Sequence, residues 1–115
     1  MNESCYSLLE IIWIEVNLSI NTYLVLDLTI HDMESFTEYV EKIPAVISKH
    51  NGSYAVQGQI PTVLEGDWKP DRLVVIEFPS RDNEKAFLAD PEAQALFVIR
   101  HKATTSKLLL VDGTQ

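Results

Sequence analysis

Basic residues are the first shortage in this chain. Its 115 residues include 9 Lys and Arg against 17 Asp and Glu, a formal net charge of -8. No local cluster of Lys or Arg offsets that balance. An acidic chain repels phosphate backbones and anionic lipid, so neither nucleic acid nor a membrane is an expected partner. Cysteine is scarcer still. Cys5 is the only one, so no internal disulfide can form, which fits a reducing cytoplasm. Cys5 lies in a terminal stretch with no basic residue near it in sequence to lower its pKa, so an inert thiol is expected rather than a nucleophile.

A long apolar run is missing too. The stretch "MNESCYSLLEIIWIEVNLSIN" is apolar around Leu8 to Ile14 but carries Glu3, Glu10 and Glu15. A signal peptide wants a basic start and an unbroken apolar run. A membrane span wants ~20 apolar residues with few charges. Residues 1–21 therefore read as an N-terminal extension, packed on the domain or on a partner subunit, or as upstream sequence read from an early start codon. Residues 22–115 read as one domain. The chain also lacks a nucleophile elbow, a phosphate-binding glycine loop, a dinucleotide fingerprint and any Ser-His-Asp context. Nicotinamide, ATP and triad chemistry are disfavoured, and no cofactor is expected. His31, His50 and His101 match no zinc spacing, so no metal is expected. His50, near a helix C-terminus, suits a dipole-compensating cap.

What is present describes an ordinary core. Hydrophobic residues are 46% and charged residues 23%, a balance suited to a small globular domain. "TYLVLDLTI" (22–30) alternates as a strand, with Leu24, Leu26, Leu28 and Ile30 on one face and Tyr23, Val25, Asp27 and Thr29 on the other. Asp32 offers an N-cap to a helix bearing Phe36, Val40, Ile43 and Ile47 at helical spacing. Pro44 should kink or split that helix, and Gly52 suits a left-handed cap after it. "SYAVQGQ" (53–59) reads as a second strand, and "TVLEG" after Pro61 as a short extended piece. "DRLVVIEFP" (71–79) is the third and most apolar strand, expected at the centre. Ser80 or Asp82 caps a second helix, broken at Asp90-Pro91 and resumed to about Thr104. "KLLLVDG" (107–113) closes the chain as a strand.

The order β-α-β-β-α-β is the split βαβ, or ferredoxin-like, arrangement. It gives an α+β fold, a four-stranded antiparallel sheet with both helices on one face and the first and third strands in the middle. Val25, Leu73 and Val75 then point to a face that no helix covers. That predicts a homodimer with sheets packed face to face.

"LEGDWKPDRLVVIEFPS", "DPEAQAL" and the arginine of "FVIRHKAT" resemble domain-of-unknown-function family 1330 (DUF1330), of the dimeric α+β barrel superfamily. The likeness runs from about Thr22 to Gly113. Members often carry Gly-Gly where Asn51-Gly52 and Gly58-Gln59 stand here, and many have Tyr where Ala93 stands. The resemblance implies a dimer. It leaves the chemistry open, since relatives in the superfamily include cofactor-free monooxygenases, isomerases and haem-binding enzymes.

Four side chains are the ligand-binding candidates. Arg100 falls on the stripe Ala89, Ala93, Leu96, Arg100, Ala103 that faces the sheet. A guanidinium there needs an anion. It is either a clamp for an anionic ligand, or half of an internal pair, for example with Glu65, or an arginine at the helix end reaching solvent. Trp68 lies in the turn "EGDWKP", which Gly66 and Pro70 can build without it. Its indole either closes a core or a subunit contact, or walls a pocket to which Glu65 and Arg100 add polar contacts. Tyr39 either adds a hydroxyl to that pocket or packs in the core. Glu77, on the uncovered face with Asp27, is the outside candidate for a catalytic base, or else a register-fixing group. Two functions follow. One is binding of a small anionic or aromatic metabolite between helices and sheet, with any transformation cofactor-free. The other is a non-catalytic homodimeric module. A cavity beside Arg100 favours the first, and a buried Arg100 paired with its own carboxylate favours the second.

Overall fold

The computed structural model describes residues 20–114. Most of the N-terminal extension, with Cys5, lies outside them. Strand β1 (Thr22–Ile30) leads to helix α1 (Met33–Lys49), then to strands β2 (Ser53–Gln59) and β3 (Arg72–Phe78). Two helices follow, α2 (Arg81–Ala89) and α3 (Pro91–Ala103), and strand β4 (Thr104–Asp112) ends the domain. The sheet order is β2-β3-β1-β4 and every pairing is antiparallel. This is the ferredoxin-like βαββαβ arrangement, with its second helix divided in two.

The faces of the sheet follow the alternation of β1. Leu24, Leu26 and Leu28 are buried, and so are Val74, Ile76 and Phe78 on β3. They form one core with Phe36, Tyr39, Ile43, Val46 and Ile47 of α1 and with Phe87, Ala93, Leu96 and Ala103. The other face carries Tyr23, Val25 and Asp27 beside Glu77, Val75 and Leu73 of β3 in register. Lys107, Leu109 and Val111 of β4 continue it on the far side of β1.

Capping explains where the helices begin. Asp32 Oδ1 accepts from Ser35 N at 3.1 Å, and Ser80 Oγ accepts from Asn83 N at 3.2 Å. Asp90, in extended conformation before Pro91, ends α2 and caps α3, its Oδ1 accepting from Glu92 N at 2.9 Å.

Several expectations shift. Helix α1 runs through Pro44 as one helix, so the proline does not split it. The carbonyl that the proline leaves unpaired belongs to the exposed Val40, where water can satisfy it. Tyr39, not Val40, completes the buried stripe, and Ala89 is exposed rather than facing the sheet. The left-handed residue after α1 is Asn51 (φ 64°). Gly52 N donates to Ile47 O and Asn51 N to Ser48 O, which makes a Schellman cap. Gly52 is required for a different reason. A Cβ there would lie 2.7 Å from both Ile47 Cγ2 and Phe78 Cε1. The piece "TVLEG" forms no strand. Strand β4 starts at Thr104, three residues before the expected Lys107, because Thr104 both caps α3 and begins the strand without a loop.

Candidate functional site

Strand β2 sets up the site. It is an edge strand whose pairing with β3 slips twice, between Tyr54 and Val56 and between Gln57 and Gln59. Plain alternation would put Tyr54 and Gln57 on opposite faces. The first slip aligns Tyr54 with Ile76 and Gln57 with Val74, so both turn toward α1. The second slip is at Gly58, which has φ 84°. There the strand bends, and Gly58 O accepts from Arg72 Nη1 at 3.2 Å.

Between this strand, the middle of the sheet and α1 lies a cavity of about 290 Å³. Leu26, Val74 and Ile76 form its floor, and Met33, Phe36 and Ile43 its roof. Its polar groups are the side chains of Tyr39, Tyr54, Gln57 and Arg72. Burial pushes the Tyr54 hydroxyl up to about 12, with nearby Tyr39 adding to the effect. Burial also raises Tyr39, partly offset by the charge and hydrogen-bonding reach of Arg100. Both tyrosines are therefore neutral at physiological pH, able to donate and to accept. Among the described residues that line the cavity there is no carboxylate, histidine or cysteine. Its chemistry is that of an apolar slot with hydroxyl, amide and guanidinium contacts.

Arg100 stands behind Tyr39. It is 5% exposed, with its guanidinium carbon 4.9 Å from the Phe97 ring centroid and 5.9 Å from that of Tyr39. Its Nη2 lies 3.2 Å from His101 Nε2, and Nε has no hydrogen-bond partner. No carboxylate among the described residues pairs with it. The internal pair with Glu65 is not formed, and Glu65 is exposed in the loop before β3. Aromatic faces and the C-terminal end of α3 stabilise the buried cation instead.

Trp68 goes elsewhere. Its Nε1 donates to Asp27 Oδ2 at 2.9 Å, and it borders a hollow of about 200 Å³ with Val25, Lys107 and Leu109 on the uncovered face. The sheet separates it from Tyr39 and Arg100, so these candidates do not form one pocket. Glu77 is on the uncovered face as well, accepting from Asn21 Nδ2 and, at 3.5 Å, from the Tyr23 hydroxyl. The register puts Glu77 opposite Tyr23 and Leu73 opposite Asp27. Asp27 and Glu77 are thus about four residues apart along the strands, roughly 13 Å, too far to share a proton. The histidines do not converge. His31 contacts Thr105 Oγ1 at 2.6 Å, His50 contacts Asp90 Oδ2 at 2.7 Å, and His101 contacts Arg100. Among the described residues no group of three or more His, Cys, Asp or Glu could hold a metal ion.

The sequence reading missed Tyr54, Gln57 and Arg72. A glycine inside a strand is the available signal for a bulge, and Gly58 carries it.

A family model described as a domain of unknown function, DUF1330, matches residues 21–114. The chain belongs to the DUF1330 family. No curated protein matches it significantly. Among solved structures, a protein of unknown function from Rhodopseudomonas palustris is similar at 16% identity and a TM-score of 0.68, over 100% of this chain and 95% of that one. SnoaB, a cofactor-independent oxygenase from Streptomyces nogalater, is similar at 18% identity and a TM-score of 0.61, over 84% and 95%. An ethyl tert-butyl ether d (ethd) family protein from Bacillus halodurans follows at 15% identity and a TM-score of 0.53, over 83% and 99%. At these identities the likeness is one of fold, and this DUF1330 domain shares it. No helix among the described residues is long and apolar enough to cross a membrane.

Proposed function

We propose that this DUF1330 protein binds a small, largely apolar metabolite, aromatic or similarly flat, in the cavity between α1 and the sheet. The observation that carries the reading is the cavity itself, about 290 Å³ with an apolar floor and roof and a few convergent polar groups. That is the usual make-up of a small-molecule site. Tyr39 and Tyr54 supply neutral hydroxyls, and Arg100 acts through Tyr39 rather than on the ligand. With no carboxylate, histidine or cysteine among the described lining residues, binding is better supported than acid-base catalysis. Any transformation would draw on the ligand's own reactivity and on the tyrosine hydroxyls. The shared fold with a cofactor-independent oxygenase is compatible with that route, as an analogy of fold only.

The uncovered face supports a second property, self-association. Trp68, Leu109 and Val111 are each more than half exposed there, beside the partly exposed Val25, Leu73 and Val75. A second copy packed sheet to sheet would bury them. That reading does not compete with the cavity, which opens on the other side of the sheet.

A thermal-shift measurement tests the cavity. Indole and 2-naphthol are added to the wild type and to Val40→Trp, a change at a half-exposed position that narrows the slot without overpacking the core. A ligand at ~100 times its dissociation constant stabilises by about 2.7 kcal/mol. The expected result is a shift in the wild type and little or none in the variant. Equal shifts in both would place binding elsewhere and overturn the proposal.

A further inference from the structure

The cavity opens at one end of the sheet into an outer hollow, and the two share Ile30, Met33 and Arg72 as lining. The outer hollow adds Lys69, Asp71 and His31. Lys42, Lys49 and Arg81 are all engaged by carboxylates. Among the described residues, Lys69 and Arg72 pair with none, as is also true of Lys85, Arg100, Lys102 and Lys107, but these two line one hollow together. Arg72 is nevertheless held in place, because its Nη1 donates to the carbonyl of the Gly58 bulge. The remaining N–H groups of its planar fork are free to meet a planar anion.

From this juxtaposition we propose that the ligand is a compact aromatic monocarboxylate, with its ring in the cavity and its carboxylate at the mouth on Arg72 and Lys69. The inference rests on the cavity reading above and adds the charge and orientation of the ligand. Two cations face one carboxylate, Asp71, in the outer hollow. The surplus of one positive charge balances a monoanion better than a phosphate dianion. The inner end holds hydroxyls and apolar carbon but no charge in its lining beyond Arg72, so the anionic end must point outward. Size sets the rest. An apolar cavity of roughly 150 Å³ accommodates benzene, so about 290 Å³ takes one ring with a short side chain or two fused rings.

The test is isothermal titration calorimetry with 3-phenylpropanoate and its primary amide, on the wild type, Arg72→Gln, Lys69→Gln and Val40→Trp. Arg72 and Lys69 are exposed, so their variants should fold. The acid is expected to bind about tenfold or more tighter than the amide, in line with the strength of charged hydrogen bonds. Arg72→Gln should erase that preference and Lys69→Gln reduce it, read within each variant as the ratio of acid to amide affinity. Added salt should weaken the acid and not the amide. Equal affinity of acid and amide for the wild type, both lost in Val40→Trp, would overturn the monocarboxylate inference and leave the cavity reading standing. So would an acid preference that survives Arg72→Gln. If neither compound binds the wild type and neutral aromatics fail as well, the cavity reading falls and takes this inference with it.

Discussion

Arg100 shows how far a single residue can be read. Of the stripe Ala89, Ala93, Leu96, Arg100, Ala103, the four residues within α3 are buried as their spacing implies, while Ala89 is exposed because the break at Asp90-Pro91 takes it out of phase. The partner of the charge was not legible. Sequence suggested an anion, and the structure supplies ring faces, with Phe97 at 4.9 Å and Tyr39 at 5.9 Å. A buried cation without a carboxylate gains little for the fold. Its desolvation is only partly offset, and an apolar side chain of similar length often serves as well or better. Arg100→Met is therefore expected to change stability by less than about 1 kcal/mol or to raise it, measured by urea denaturation. A loss of ~3 kcal/mol or more would mean that the guanidinium has a strong partner and would sink the ring-face account. Trp68 failed differently. The turn around it has Gly66 at φ 90°, a conformation that needs no indole, but a turn does not say which side of the sheet its side chains will cross. Trp68 bonds Asp27 on the uncovered face, and so leaves the pocket to Tyr54, Gln57 and Arg72.

At the scale of elements, alternation and capping residues were enough to order all four strands and to break the second helix at Asp90-Pro91. Errors gathered where tertiary contacts decide. The bulges of β2 depend on pairing with β3, the left-handed Asn51 on the close packing of Gly52 against Ile47 and Phe78, and the early start of β4 on Thr104 serving two elements. Asp90 ties several of these pieces together. Its Oδ2 accepts from His50 Nε2 at 2.7 Å and Lys49 Nζ at 3.0 Å, both at the end of α1, while its Oδ1 caps α3. The His50 hydrogen bond, then that of Lys49 and the Glu92 backbone N–H, hold the Asp90 carboxyl well below the usual carboxylate range. The sign follows from linkage. A depressed folded-state pKa gives stability that is present above the unfolded value, about 3.9, and is lost as pH falls through the folded value. Asp90→Asn should melt several degrees below wild type at pH 7, and the gap should narrow steadily as the pH is lowered below about 4. Thermal melts of both proteins from pH 7 down to the acid limit check this. A gap that stays constant with pH would assign the loss to the cap alone.

Among the described residues the domain is lopsided. One face of the sheet is largely covered by three helices, and the other carries Trp68, Leu109 and Val111 in the open. On edge strand β4, Leu108 and Leu110 are also half exposed on the helix side. Isolated apolar residues on a surface need no explanation, but a contiguous patch does. The register makes this one contiguous, with Leu109 beside Val25 and Val25 beside Val75 in one row across β4, β1 and β3. A second copy is the simplest cover, since the same patch on both subunits satisfies a two-fold contact. Charge bears on how tightly it holds. Two chains of net charge -8 repel each other, so association should strengthen as salt screens them. Sedimentation equilibrium is expected to give a dimer mass at micromolar concentration, with a dissociation constant that falls between 50 and 500 mM salt, on the order of one Debye length becoming several times shorter. Leu109→Glu places a carboxylate in the middle of the row, and burying it unpaired would be costly. The variant should sediment as a folded monomer with an unchanged circular dichroism spectrum. A monomeric wild type, or a Leu109→Glu protein that dimerises as well as wild type, would show that this face is not where copies meet.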